Sequence, residues 1–127
     1  MNVENVIVNL NSPDPERLIS FYRGVVQLPP REGMGPGAFS LGGDSSFVID
    51  GHSDVRGQAE RPERLLLNFV VGDIASEHQR LANAGVKVVR DKGREPWGGI
   101  ISTFEDPDGN YFQLMEYRPG LAQGSAH

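Results

Sequence analysis

Few side chains in this sequence combine the chemistry and the spacing that a metal site requires. Asp50 and His52 flank one glycine and offer a carboxylate and an imidazole, which are both ligands for divalent ions. Glu116 lies three residues after Gln113, and strand alternation places these two side chains on opposite faces. His52 lies in polar sequence, where a histidine is usually exposed. Whether Asp50, His52 and Glu116 form a metal site therefore stays open at this point.

Nucleophilic and phosphate-binding chemistry find little support in the motifs. The chain has no cysteine, and Ser102, Thr103 and His78 show no spacing typical of a nucleophile and its base. We expect His78 on the outward face of a helix. The glycine-rich stretch 33–37 contains Pro36 and precedes no helix, which excludes a phosphate-cradling loop. No cofactor is expected, and the sequence leans away from an enzyme.

The composition describes an acidic, ordinary globular protein. The chain has 127 residues, a net charge of −5 and no cysteine for disulfides. Its positive charges are scattered, so nucleic acid is not expected as a partner. No apolar run approaches the roughly 20 residues that span a bilayer, and no leader pattern precedes the first strand. A cytoplasmic protein that binds a small molecule or another protein is expected, with no membrane partner.

The first half of the chain reads as a strand, a helix and further strands. Residues 3–10 are rich in β-branched side chains and predict a strand. Asp14 suits the N-cap of the following helix, and Pro15 suits its first turn because the missing N–H costs nothing there. Gly24 is expected to end this helix, and residues 46–50 predict a closing strand.

The second half repeats this pattern. Residues 65–71 predict a strand, Asp73 a helix cap, and residues 74–84 a helix that Gly85 stops. Asp73 stands 59 positions after Asp14, and the first strands superpose at the same offset. A second closing strand is expected near residues 111–115. Two copies of such a pattern favour a paired α+β unit over a solenoid, which needs about three or more copies.

The repeat also divides the chain. We expect a first module at 1–50, a polar linker at 51–64, a second module at 65–118 and a frayed tail at 119–127.

Two motifs resemble a known family. The run Asp14-Pro15-Glu16, followed by a helix with Phe21-Tyr22, resembles the opening of the glyoxalase/bleomycin resistance protein/extradiol dioxygenase (vicinal oxygen chelate) superfamily. The stretch 95–99, Glu-Pro-Trp-Gly-Gly, followed by 104–110, Phe-Glu-Asp-Pro-Asp-Gly-Asn, resembles the close of its second module. The resemblance covers nearly the whole chain apart from the tail.

This resemblance implies an α+β fold of two βαβββ modules, whose curved sheets surround a shared cavity. It also implies a homodimer. Metal-dependent members take one ligand from the first strand and one from the last strand of each module. The matching positions here are Ile7, Val48, Leu66 and Gln113. Three of these side chains are hydrocarbons, so no metal is expected at the usual place.

Strand alternation places other side chains beside those positions. Asn9 and Asn68 are expected to face the cavity, where they either orient a ligand or bond each other or nearby backbone. Trp97 is either a stacking surface or a plug for the end of the sheet. Aromatic and sulfur side chains either line the cavity or form ordinary core, and these are Phe39, Phe104, Tyr111 and Met115. The candidate ligand-binding residues are Asn9, Asn68, Trp97, Phe104, Tyr111, Gln113 and Met115.

Three classes of function follow from this sequence. The favoured hypothesis is a metal-free protein that binds a planar or aromatic small molecule, similar to the bleomycin-resistance branch. Its acidic charge would attract cationic compounds. The alternative is a glyoxalase-like lyase or isomerase, or a dioxygenase, with a shifted or absent metal site. The third is a protein–protein interaction module or a regulatory module whose cavity has closed.

Overall fold

The computed structural model describes residues 1–117, so the expected tail at 119–127 lies outside the described residues. The chain divides into two compact units, Met1–Gln58 and Ala59–His127. Each unit carries one sheet with a helix packed on one face, which confirms the predicted α+β fold with two sheets. The boundary between the units falls inside the segment 51–64. The role of that segment as a linker stays a prediction.

The first unit contains three strands and one helix. Strand β1 spans Ile7–Ser12, helix α1 spans Pro15–Ser20, β2 spans Ala38–Ser40 and β3 spans Ser46–Gly51. The strand order is β1-β3-β2, with β1 parallel and β2 antiparallel to the central strand. The expected strand at 3–10 begins later, because pairing with β3 starts where Ile7 meets Ser46.

Helix α1 starts as the sequence predicts but ends later. The Asp14 side chain accepts a hydrogen bond from the backbone N–H of Arg17, and Pro15 occupies the first turn. The helix continues as a π-helical segment, Phe21–Val26, and ends at Gln27, whose φ is 67°. The expected stop at Gly24 is therefore wrong. Val26 is buried, and this burial outweighs the weak helix preference of one exposed glycine.

One strand of the first unit is reduced to a remnant. Where the second strand of a βαβββ module is expected, there is one bridge between Pro30 and Phe39. Two backbone hydrogen bonds flank it, from Arg31 N to Ala38 O at 3.0 Å and from Ser40 N to Pro29 O at 2.8 Å. The two consecutive prolines have no N–H to donate, so a longer ladder cannot form here.

The second unit is a complete βαβββ module. Its elements are β4 (Leu67–Val70), α2 (Ile74–Asn83), β5 (Lys87–Arg94), β6 (Ile100–Glu105) and β7 (Tyr111–Glu116), in the sheet order β4-β7-β6-β5. Strand β4 runs parallel to β7, and the other pairs are antiparallel. Asp73 caps α2 as predicted, by accepting from the N–H of Ser76 at 3.1 Å.

Each unit builds its core between the helix and one face of the sheet. In the first unit, the Tyr22 ring meets the Phe47 ring edge to face at 5.1 Å. In the second, Phe104 and Phe112 stack at 5.6 Å, and both are fully buried. His78 lies 5.1 Å from the Phe104 ring and is only 6% exposed. The expectation of an outward His78 is therefore wrong, because the buried stripe of α2 includes it.

Among residues 1–117, no helix has the length and apolar character needed to cross a membrane.

Candidate ligand-binding faces of the two sheets

The face of each sheet opposite its helix carries most of the predicted site residues. In the first unit, Ile49 is buried and a Cβ at Gly51 would touch the ring of Pro15 at the start of α1. The residues between and before them therefore point away from the helix. We call this surface the first open face, and its members are Ile7, Asn9, Asn11, Ala38, Ser40, Ser46, Val48 and Asp50.

One end of the first open face is covered by side chains of its own unit. The Ser46 hydroxyl lies 3.7 Å from the Met34 sulfur. Arg31 donates to Ser40 Oγ and to the carbonyl oxygens of Gly43 and Ser45. The rest of the face, along β1 and at Asp50 on β3, stays accessible, and we call this part its accessible end; Ile7 there is 55% exposed.

The equivalent surface of the second unit we call the second open face. Its members are Leu66, Asn68 and Val70 on and before β4, Tyr111, Gln113 and Met115 on β7, Ile101, Thr103 and Glu105 on β6, and Lys87, Arg90 and Gly93 on β5. Buried neighbours such as Phe112 and Leu114 alternate with these residues and pack beneath α2. The face is thus a continuous surface across four strands.

A polar row crosses the middle of the second open face. Register pairing sets Asn68 beside Gln113, Gln113 beside Thr103, and Thr103 beside Arg90. The Gln113 amide donates to Thr103 Oγ1 at 2.9 Å, and both side chains are buried. The amide of Gln113 is therefore already engaged inside its own sheet.

The rows on either side of this polar row differ in character. One row is apolar and pairs Val70 with Met115 and Met115 with Ile101. Val70 is 61% exposed, so the apolar row is open at the β4 edge. The other row pairs Tyr111 with Glu105, whose carboxylate lies 3.5 Å from the Lys87 ammonium.

Trp97 lies in the turn between β5 and β6. Its ring lies over Gly99, where an ideal Cβ would be 2.0 Å from a ring carbon, so only glycine fits beneath it. The ring also meets Tyr117 edge to face at 5.4 Å. The Trp97 side chain remains 46% exposed. It is anchored on one side and presents an aromatic surface on the other.

Two of the aromatic candidates do not lie on an open face. Phe104 and Phe39 are fully buried on the helix side of their sheets, where Phe104 contacts His78 and Phe112, and Phe39 contacts Phe47. The interpretation of these two rings as ordinary core fits their positions, whereas Phe104 as a ligand contact does not. Phe104 lies on the helix side because it follows Thr103, and neighbours along a strand face opposite ways.

The residues that the resemblance places at the family's metal positions do not fit a metal ion. Ile7, Val48 and Leu66 have no donor atom, and Gln113 is hydrogen-bonded to Thr103. Two of the three displaced candidates have other partners: Glu116 accepts from the N–H of Ile74 at 3.0 Å, and His52 Nδ1 accepts from the N–H of Asp54. In the described part of the chain, no group of three His, Asp or Glu side chains is placed to hold an ion.

The nucleophile candidates are also separated. Ser102 is buried on the helix side of β6, while Thr103 faces the other way. His78 Nε2 lies 3.2 Å from Asp91 Oδ1 on β5. Burial lowers the pKa of the His78 imidazole, and Lys92 lowers it further, while Asp91 raises it. The net effect lowers the pKa of this histidine, which lies in the core of its unit.

Sequence reasoning missed several polar members of the open faces. Thr103 stands out in the sequence only as a candidate nucleophile, and Arg90 and Asn11 do not stand out at all. The alternation that assigned Asn9 and Gln113 to the open faces also applies to them. What was missing was the register, because only the pairing places Thr103 and Arg90 in one row with Gln113.

Comparison with solved structures supports the fold. A glyoxalase/bleomycin resistance protein/dioxygenase superfamily member from Sphaerobacter thermophilus matches with a TM-score of 0.70 at 20% identity, covering 91% of this chain and 98% of that one. A protein of unknown function from Agrobacterium tumefaciens has a TM-score of 0.69 at 25% identity, with coverage of 93% and 95%. A third, TnmS3, is described as an antibiotic binding protein from a Streptomyces species. It has a TM-score of 0.66 at 26% identity, with coverage of 93% and 99%.

A search of curated proteins found no significant match. The model of the Glyoxalase/Bleomycin resistance protein/Dioxygenase superfamily matches residues 6–114. This match takes in both sheets except the last residues of β7, and both motifs that carried the resemblance. The chain therefore belongs to the Glyoxalase/Bleomycin resistance protein/Dioxygenase superfamily.

Proposed function

We propose that this chain binds a small planar or aromatic molecule without a metal ion and acts by sequestering it. The observation that carries the proposal is the character of the four family ligand positions. Three are hydrocarbon side chains, Ile7, Val48 and Leu66, and the fourth is an amide with a partner in its own sheet. Such a set favours apolar contact over ion coordination.

The surroundings of these positions support the same proposal. Exposed hydrocarbon on the open faces includes Ile7 and Val70, and Trp97 adds an exposed aromatic surface in the same unit as Val70. Apolar surface with a few amide groups is typical of sites for drug-sized ligands. The structural similarity to TnmS3, described as an antibiotic binding protein, points to the same class of ligand. We propose Asn68, Trp97, Tyr111, Gln113 and Met115 as ligand contacts in the second unit, and Asn9 in the first.

Fluorescence of the single tryptophan tests this proposal. A panel of planar antibiotics should include at least one class that quenches Trp97 emission in a saturable way. Calorimetry on Trp97→Phe separates the optical signal from binding itself, since phenylalanine keeps an aromatic ring at the turn. If no class saturates in either measurement, the proposal fails.

The enzymatic alternative requires a metal or a catalytic group that the open faces do not supply from the family positions. No observation favours it over binding. Elemental analysis of protein prepared without chelators tests the metal-free part of the proposal. One equivalent of a tightly held divalent ion per chain would overturn it.

We also propose that two chains pair. The proposal rests on the homodimer that the family resemblance implies and on exposed hydrocarbon side chains. These side chains lie at or just before the first strand of each unit and are Val6, Ile7, Leu65 and Leu66. Light scattering should give twice the 13.9 kDa chain mass. A single species at the chain mass would contradict pairing.

A further inference from the structure

The accessible end of the first open face holds three polar side chains with no role in the site described above. Asn11 and Asp50 are register partners on neighbouring parallel strands, and Asn9 lies two residues before Asn11 on the same face. Neighbouring strands lie about 5 Å apart, and residues two apart along a strand are separated by about 7 Å. The three side chains therefore reach one common point above the sheet.

These three side chains are uncommitted within their unit. Asn9, Asn11 and Asp50 make no side-chain hydrogen bond or ion pair with any of residues 1–58. Asn9 and Asp50 are exposed, and Asn11 is partly buried. By contrast, Arg31 at the covered end of the same face donates to three oxygens. The free polar groups are thus confined to the end that a ligand can reach.

The chemistry of this group selects the charge of its occupant. Asp50 supplies a carboxylate, and the two asparagines supply amide oxygens, so the three offer several acceptors around one negative charge. A ligand that covered an unpaired carboxylate with apolar surface would lose its hydration without compensation. A protonated amine compensates it, because its N–H groups donate to the carboxylate and the amide oxygens.

The net negative charge of the first unit also favours a cationic ligand. Residues 1–58 contain seven acidic and four basic side chains, and none of the four arginines pairs with Asp50. The polar row of the second open face is different, because its Arg90 pairs with Glu95 at 2.8 Å and its Gln113 with Thr103. The first open face therefore carries a carboxylate without a partner in its unit, whereas these polar groups of the second open face are paired.

We propose that Asn9, Asn11 and Asp50 form a subsite for a protonated amine carried by the bound molecule. This inference rests on the proposed small-molecule function and names the charge of the ligand. The ring system of such a ligand lies against Ile7 and Val48, beside Asn9 on the same face. Its ammonium group is held by Asp50, with the amide oxygens completing its hydrogen bonds.

Calorimetry with two matched probes tests the subsite. The probes are 2-(aminomethyl)naphthalene, whose amine is protonated at neutral pH, and 2-(hydroxymethyl)naphthalene, a neutral molecule with the same ring system. We expect the wild-type protein to bind the cation at least about tenfold more tightly, which is the scale of one hydrogen bond to a charged group. Asp50→Asn should abolish this preference and leave binding of the neutral probe unchanged.

Asp44→Asn is the matched control, because it removes the same charge from an exposed loop of the same unit. It should keep the preference for the cation, which separates a local contact from general attraction to an acidic protein. Equal binding of the two probes, or a preference that survives in Asp50→Asn, overturns the subsite and leaves the proposed function standing.

A second measurement tests the amine subsite independently of the binding of a planar ligand. Butylammonium chloride is titrated while the side-chain amide resonances of Asn9 and Asn11 are followed by NMR. Shifts that disappear in Asp50→Asn support the subsite even when neither planar probe binds, and the planar-ligand function is then decided by the antibiotic panel alone. If neither probe binds and no amide resonance moves, the subsite is overturned, whatever the antibiotic panel shows.

Discussion

The two open faces come from the same repeated pattern but treat their polar groups differently. On the second open face, Gln113 bonds Thr103, Arg90 pairs with Glu95 and Lys87 pairs with Glu105. On the accessible end of the first open face, Asn9, Asn11 and Asp50 have no such partners within residues 1–58. The duplicated scaffold therefore fixes where side chains point, while their chemistry is free to diverge.

The sheets beneath these faces also differ in their number of paired strands. The second unit has four paired strands, and its edge strand β5 runs for eight residues. The first unit has three, because Pro29 and Pro30 leave only one bridge where β5 would have its counterpart. A complete sheet supports a wide, internally bonded face, whereas the shorter sheet supports a narrower face with free groups. Four changes test this comparison, in order of expected effect.

The largest effect is expected from Phe104→Ala. The ring is fully buried between α2 and the sheet, so its removal leaves a cavity and should lower the unfolding free energy by about 3–5 kcal/mol. Urea denaturation measures the loss. Val70→Ala on the exposed β4 edge is the control and should cost less than about 1 kcal/mol. Comparable losses from the two variants would contradict the burial of Phe104 in the core of the second unit.

The first unit has a comparable weak point in its backbone rather than in its core. A Cβ at Gly37 would lie 2.5 Å from the Ile49 carbonyl oxygen and 3.0 Å from Ile19 Cδ1. Gly37→Ala should therefore push β3 away from residue 37 and cost about 2 kcal/mol. The Ile49 amide donates to the Gly37 carbonyl, so its hydrogen-exchange rate should rise in this variant.

Gly24→Ala provides the matched control for that substitution. Nothing lies within 4 Å of a Cβ at Gly24, and the residue is helical, so alanine should stabilise the protein by about 0.5–1 kcal/mol. If Gly37→Ala stabilised the protein, the close approach of a Cβ at residue 37 to the Ile49 carbonyl oxygen would be contradicted.

The difference in polar bonding predicts a coupling on one face and none on the other. Gln113→Leu and Thr103→Val should each cost about 1–2 kcal/mol, since each leaves a buried partner unpaired. The double variant should cost less than the sum, with a coupling of about 1 kcal/mol. Asn9→Leu should change stability by less than about 0.5 kcal/mol. Additive losses for Gln113 and Thr103 would remove the contrast between the faces.

The smallest effect concerns pH and belongs to the second unit. Burial and Lys92 lower the pKa of folded His78 below its ordinary value of 6.5, against the opposing effect of Asp91. The unfolded chain then binds more protons as pH falls below about 6.5, so stability should decline from there toward the folded pKa. His78→Gln should remove this part of the pH dependence. Asp91→Asn should enlarge it, because the effect that raises the pKa is lost.

Thermal unfolding between pH 7 and pH 5 measures these slopes. A steeper decline in His78→Gln than in the wild type would contradict a lowered pKa of the buried imidazole.

Local patterns were enough to predict much of the scaffold. Asp14 and Asp73 cap their helices as expected, because an N-cap depends on a side chain two or three residues from the N–H it accepts. The closing strands and the alternation along β7 follow from period-two patterning, which also needs no distant information. The failures occur where distant residues decide. Gly24 does not stop a helix whose next turn buries Val26, and His78 is drawn inward by Phe104.

The sequence by itself determined that Ile7, Val48 and Leu66, which the resemblance places at the family's metal positions, are hydrocarbon side chains, because side-chain type is a property of the chain. It also determined that Asn9 and Gln113 belong to the faces that carry those positions. Only the tertiary structure decided which polar groups are engaged. Gln113 bonds Thr103 across an antiparallel register, whereas Asp50 meets Asn11 across a parallel one and stays unpaired within its unit. Register depends on how distant segments pair, and no local pattern records it.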